Sequence, residues 1–446
     1  MANYTGADSV VMLNEALNAD QLNAPDYKNI PHLFAWNLSS DALQYVNTLN
    51  GLIENEINTY FSGYRNYFVV DAVYGDDAIA ATDPYKSTYS FATIQAAVDN
   101  IGGGGNPILI VVNPGLYELD NRIELRNNID FYFYPNTIVQ DRIGSPIPGL
   151  FFIDSCNVNI YGYADFISNN SKATAFSYTN TLGFIGLLNF NCNKIILTDE
   201  GLVFNVSVTN LIINFQEADC SFEGCRFLTL SGEKNVTINA SIIKHSNTAY
   251  IIDNSSATLT INVENTISYN NTSGNSTILM GNCNTCKVFL NGNISSAQTQ
   301  DNISLGAFTI LQDCNNSSII FNGGNCNIRS RGIFRCIGAN CSIRINANIT
   351  NTQVNGIMGY ISNDSVVYLA GRLQADLGVQ SIFLGVPRAI FVLEYGSLIT
   401  NINPSIANNI VGFNMFYCSY YGATNNAPQI TTTPLASQLI VNSNVI

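Results

Sequence analysis

The segments CSIRINANIT (341–350), SVVYLAGRLQ (365–374) and AIFVLEYGSL (389–398) keep apolar residues at the same places while their polar letters change freely. Their central residues Ile345, Leu369 and Leu393 stand 24 residues apart each time. The series extends upstream through Phe321, Leu290, Ile261 and Ile238, with spacings of 23, 29, 31 and 24 from Ile238 to Ile345. Such a period is that of a solenoid coil. Two places before each anchor every residue is apolar, from Val236 to Phe391. Two places after it most are small, as at Ala240, Gly292, Gly323, Ala347 and Gly371. Period-two alternation makes each repeat a strand with one face inward, and a small residue lets the backbone turn. Five places before the anchors stand polar residues, among them Thr285, Asn316 and Asn340, a corner between strands. One coil cannot bury its inward face alone, so the coils must stack.

Composition agrees with a large folded core and narrows the partners. Of 446 residues, 46% are hydrophobic but only 11% charged, less than half the usual share. Polarity comes from Asn, Ser and Thr, and Asn suits tight turns because it tolerates left-handed backbone. The formal net charge is −14, which repels nucleic-acid phosphates and anionic lipid. No run of 18 apolar residues occurs, so membrane insertion is not expected. The start, MANYTGADSVVMLNEALN, lacks a basic region followed by an apolar core, so a signal peptide is not expected either. Eleven cysteines then read as reduced thiols rather than a disulfide framework.

Residues 1–64 differ from the rest. In SSDALQYVNTLNGLIENEINTYF, the residues Ala42, Val46, Leu49, Ile53, Ile57 and Tyr60 form one helical stripe, capped by Ser40 or Asp41. The stripe needs a partner, either copies of itself in a trimer or the following domain. From Tyr67 to Leu125 runs YFVVDAVYGDDAIAATDPYKSTYSFATIQAAVDNIGGGGNPILIVVNPGLYELDNRIEL. SFATIQAAVDNIG predicts an amphipathic helix near 91–101, ended by Gly102–Gly105. ILIVV, RIEL, IDFYF and TIV predict short strands, and NPGLY a turn. This stretch resembles the opening of pectin-lyase-like right-handed parallel β-helix proteins, above all those of viral appendages. The matching residues include Val70, Asp71, Gly75, Asp77, Phe91, Thr93–Asp99, Val112, Pro114, Gly115 and Tyr117. The resemblance implies a helix that plugs the end of the solenoid and hides its open edges. It covers about 60 residues and identifies a scaffold, not an activity.

Candidate chemistry is sparse. β-Helix enzymes that cut polysaccharides need two or three carboxylates, or a carboxylate with basic residues, clustered on one outer groove. The densest acidic patch is NFQEADCSFEGCR, with Glu217, Asp219 and Glu223 as weak catalytic candidates. If Ile213 continues the anchor series, Asp219 lies beside Lys244 on the next coil, where a surface salt bridge is the plainer expectation. Asp253 and Glu264 form a second possible pair. Between Asn265 and Asn363 the only acids are Asp301 and Asp313, so those coils carry no carboxylate pair of their own. His245 reads as a surface or corner residue. Cys283 and Cys286 form a lone CxxC without the four ligands of a zinc site, and stacked buried thiols explain them better. Tyr368 and Tyr395 are candidates for stacking on sugar rings.

The sequence therefore predicts an all-β chain: a single-stranded right-handed parallel β-helix over 65–420, after a helical attachment segment (1–64) and before a C-terminal closing tail (421–446). The resemblance implies a homotrimeric virion appendage of bacteriophage tail-spike or fibre type, assembled in the host cytoplasm. Residues 1–64 would join it to other virion proteins, and the solenoid would contact a host surface polysaccharide or receptor. A polysaccharide-degrading spike and a purely structural capsid or tail component are the alternatives. No cofactor or metal is expected.

Overall fold

The computed structural model describes residues 67–82, 89–101, 108–125, 128–179, 187–207, 210–232, 234–269, 277–296, 307–329, 332–362, 365–377, 382–384, 390–393, 398–401, 414–415 and 419–422. The expected stripe at 41–60 and the tail beyond Gly422 lie outside these residues. Every strand pairing among them is parallel, and the strands stack into a β-solenoid. Ile238, Ile261, Leu290, Phe321, Ile345, Leu369 and Leu393 are consecutive partners in one sheet, as the repeat requires. The ladder continues upstream through Ile213, Phe190, Ile160, Phe131, Ile110 and Phe68, and downstream to Met415. The anchor segments thus keep a constant register, and the variable spacing falls outside them, in the excursions between strands and in one-residue shifts beyond the anchor such as that between Asn262 and Asn265.

Each coil contributes strands to three faces. The first carries the anchor ladder. A second begins with Gly115–Leu119 and Thr137–Asp141, and a third with Ile123–Leu125 and Phe151–Asp154. From Asn210–Cys220 to Ser318–Ile328 the first and second faces are joined by one long bent strand per coil, the bend falling two or three residues after the anchor. Gly292 is one such bend, with φ +120°, and a Cβ there would lie 1.6 Å from the Val263 carbonyl oxygen of the coil below. Only glycine fits so close an approach at that φ. At the opposite end of the strand Thr285, Asn316 and Asn340 adopt left-handed backbone at φ 59°, 47° and 54°. These are the polar corners five places before the anchors, and Asn is the side chain best suited to them.

The inward face is packed mainly with apolar side chains. Phe131, Phe151, Phe166, Phe176, Phe190, Phe204, Phe227 and Tyr250 fill the earlier coils as an unbroken series of ring contacts. Isoleucine, valine, leucine and cysteine dominate the later ones.

The opening signature turns out to be a set of clamps. Helix α1 (Asp77–Thr82), which the sequence did not announce, precedes α2 (Ile94–Asp99), shorter than the expected 91–101. The Asp77 carboxylate accepts from the backbone of Ala92 and Thr93 and from the Thr93 hydroxyl at 2.7–3.0 Å, and Thr93 in turn caps α2 through Ala96 N–H. Asp71 accepts from the N–H groups of Val73 and Tyr74 and from the Asn113 amide. Gly75 is required by proximity, since a Cβ would sit 2.2 Å from the Phe91 carbonyl oxygen. Phe91, Ile94 and Ala97 are buried in the core at the first strand. The turn expected over NPGLY (113–117) is confined to Asn113 and Pro114, and Gly115–Leu119 is a strand whose Tyr117 and Leu119 are buried.

Candidate functional site

The acidic patch is brought together only in part. Glu217 and Asp219 alternate with buried Ala218 on one strand, so both point outward. Lys244 on the next coil is the register partner of Asp219, and Lys194 on the previous coil that of Glu217. The Lys244 ammonium lies 2.5 Å from Glu217 and 3.3 Å from Asp219, while Lys194 reaches Glu217 at 3.1 Å. Two acids and two lysines cancel. Glu223 is exposed in the following turn and has no ion pair among the described residues.

Hydrogen bonding from Lys244 lowers the Glu217 pKa despite some desolvation, with Lys194 assisting. For Asp219 desolvation is the largest single influence, yet the Ser221 and Lys244 hydrogen bonds outweigh it and the pKa falls. Both groups are held as carboxylates, whereas a glycosidase acid must keep its proton near neutrality. Asp253 and Glu264 belong to different faces and form no pair. His245, expected as a surface or corner residue, closes its strand and is fully buried. Its Nδ1–H donates to the Asn247 carbonyl at 2.6 Å, and burial pushes its pKa down to about 4.

Cys283, Cys286, Cys314 and Cys341 are buried free thiols. They do more than fill space. Cys286 Sγ accepts from Ala257 N–H at 3.0 Å, and Ser317 Oγ, its counterpart on the next coil, accepts from Cys286 N–H at 3.1 Å. Thiols and hydroxyls therefore satisfy corner N–H groups that the turning backbone leaves without strand partners.

A groove runs elsewhere, in the angle between the first and second faces. It holds about 880 Å³ and is more open than enclosed. Its floor is the buried pair Phe215 and Val263, and one wall is built from the residue directly after each anchor. In the early coils those residues are Tyr132 and Tyr161, with Tyr163 beside them and 63% exposed. From there on they are asparagines: Asn191, Asn214, Asn239, Asn262 and Asn291, continuing past the groove to Asn322 and Asn346. From Asn214 on, each side-chain amide donates to the side-chain carbonyl oxygen of the preceding coil's asparagine, at 2.5 to 2.9 Å through six successive bonds.

Aligned amides polarise one another and lock their side chains in one rotamer. Each interior asparagine still has a second N–H and a further carbonyl lone pair facing outward. Glu264 is the one charged side chain of the lining.

None of the sequence-level candidates belongs to this groove except Glu264. Tyr368 is half-buried beside the Arg344 guanidinium at 5.7 Å, and Tyr395 lies outside the described residues. The signal was present in the sequence all the same: Asn follows the anchor at six consecutive repeats from Ile213 to Ile345. Among the described residues no group of three or more His, Cys, Asp or Glu side chains is arranged to hold a metal ion. Comparison with known proteins leaves the argument to the geometry, since no family, curated protein or solved structure matches the chain.

Proposed function

We propose that this chain is a virion appendage of tail-spike or fibre type, a homotrimer whose solenoid binds glycans on the host surface. The observation that carries the reading is the groove of tyrosines and outward-facing amides on an otherwise chemically quiet solenoid. Tyrosine rings offer flat apolar faces to sugar C–H groups, and fixed amides complement sugar hydroxyls. The entrance signature, which resembles that of viral β-helix proteins, supports the virion setting, and residues 1–64 would supply attachment to the particle. Binding rather than cleavage is favoured because Glu217 and Asp219 are neutralised by lysines and held ionised.

Purified protein incubated with capsule or lipopolysaccharide from candidate hosts tests this directly. Retention of intact polysaccharide is the expected result. Release of oligosaccharides would replace the binder by a depolymerase. Failure to bind any host cell or glycan, with particles lacking the protein failing to assemble, would leave a structural component. Light scattering of the full chain checks the trimer.

A further inference from the structure

The groove is too long and too open for a small molecule. Its lining runs from Tyr132 to Gly292 across seven successive strands of the first face. Six strand spacings of ~4.8 Å make it about 29 Å long. A drug-sized ligand needs enclosure on most sides, whereas an extended polymer can collect contacts along an open trough. The contacts repeat with the coils. At each interior asparagine the ladder consumes one N–H and one carbonyl lone pair, and the same unused donor and acceptor return one rung further along. Because the ladder already fixes each amide, little side-chain entropy is lost when a ligand docks.

Charge selects among polymers. The lining offers no cation, and its only charge is the exposed carboxylate of Glu264. The nearby lysines, Lys194 and Lys244, are already matched by Glu217 and Asp219. The whole chain carries −14, so a polymer of uronic acids or phosphosugars would meet repulsion with nothing to offset it.

Resting on the glycan-binding reading above, we infer that the groove takes an extended, uncharged polysaccharide lying parallel to the solenoid axis. Tyr132, Tyr161 and Tyr163 grip ring faces at one end, and the Asn191–Asn291 column reads hydroxyl and amide substituents along the rest. The tyrosine end sets affinity, and the amide run sets how many sugar units are counted.

The test is titration calorimetry on the full chain with neutral hexose and N-acetylhexosamine oligomers and with uronic-acid oligomers of matched length. Neutral oligomers are expected to tighten stepwise with length until the groove is full, with little response to salt. Uronic-acid oligomers are expected to bind at least about tenfold more weakly at low salt, the gap shrinking as salt rises. Tyr163→Ala removes a mostly exposed ring and is expected to weaken the longest neutral oligomer about tenfold. Asn262→Asp removes the donor to Asn239 and adds a charge, and is expected to weaken the same oligomer several-fold. Thermal melts of both variants close to that of the parent chain would show that the fold is intact. Tighter binding of the acidic series, affinity that stops growing at a disaccharide, or neutral binding untouched by both variants would each overturn the groove assignment while leaving glycan binding in place. Absence of binding by every oligomer and by host polysaccharide alike would remove the glycan-binding reading itself.

Discussion

The coils from Phe131 to Tyr250 are held by aromatic rings, while those from Ala257 to Ile349 rely on aliphatic side chains, thiols and corner hydrogen bonds. Both regions keep the same anchor ladder. In the first, Phe151, Phe176 and Phe204 are register partners on one face, and their rings stack at 5.9 and 5.2 Å. In the second, Cys286, Ser317, Cys341 and Ser365 occupy the place four residues before successive anchors, all buried. A ring column fills volume and has few substitutes of equal size. A column of small polar atoms answers backbone N–H and C=O groups, and serine and cysteine alternate in it freely. The stacking rule is therefore indifferent to what fills the prism, provided volume and hydrogen bonds are both accounted for.

The sharpest way to break this comparison is to remove one ring. Phe176 touches Phe151, Phe166, Phe190 and Phe204, so Phe176→Ala opens a cavity whose neighbours are equally rigid. A loss of about 3–5 kcal/mol in chemical denaturation is expected. A loss below about 1 kcal/mol would mean that the rings are not a close-packed column.

His245 probes the boundary between the regions. Its pKa is about 4 when folded, because burial disfavours the imidazolium and the Asn247 carbonyl only partly compensates. The unfolded chain binds this proton near pH 6.5, so the contribution is complete above that value and disappears as pH falls toward 4. At 1.36 kcal/mol per unit the loss comes to about 3 kcal/mol. Comparison with His245→Leu isolates it: the parent should lose more stability than the variant between pH 6.5 and 4. Parallel curves would place the proton elsewhere.

The asparagine ladder belongs mostly to the second region and gives a smaller effect. Asn291→Ala removes the bonds to both Asn262 and Asn322 on a solvent-facing wall. About 1 kcal/mol of destabilisation is expected, since each net bond contributes modestly where water can replace it. Double replacement of neighbours, compared with the sum of the singles, would measure how far the amides cooperate.

Least of all should follow from Cys341→Ser, because Ser317 and Ser365 fill the equivalent place on the coils to either side. A change under about 1 kcal/mol is expected. A large loss would show that the thiol is selected for volume, bringing the second region closer to the first.

How much could be read in advance depended on the distance over which a pattern acts. Ile345, Leu369 and Leu393 were found by their period and proved to be register partners. The contact between Asp219 and Lys244 followed by counting from the same anchors. Lys194 was missed as a partner of Glu217, although it lies four residues after Phe190 just as Glu217 lies four after Ile213. Phe190 stands 23 residues before Ile213, a spacing that the series already contains, but the anchors read from the sequence went no further upstream than Ile213, and the pairing shows that Phe190 is one of them. His245, read as a surface or corner residue because no motif surrounds it, does end its strand at a bend, but the alternation of that strand directs its ring inward.

The sequence by itself determined the solenoid, its inward face and its left-handed corners, because each follows from local rules: alternation with period two, small residues at bends, and Asn where φ is positive. Only the tertiary structure decided where the coils form a groove and which surface residues share it. Coils of 23 to 31 residues place Tyr161, Asn191 and Asn239 at unequal distances along the chain. Hydrogen-bonded register then lines them up, with Asn214 between Asn191 and Asn239, at whole strand spacings along one column, and the bend between faces turns that line into a trough.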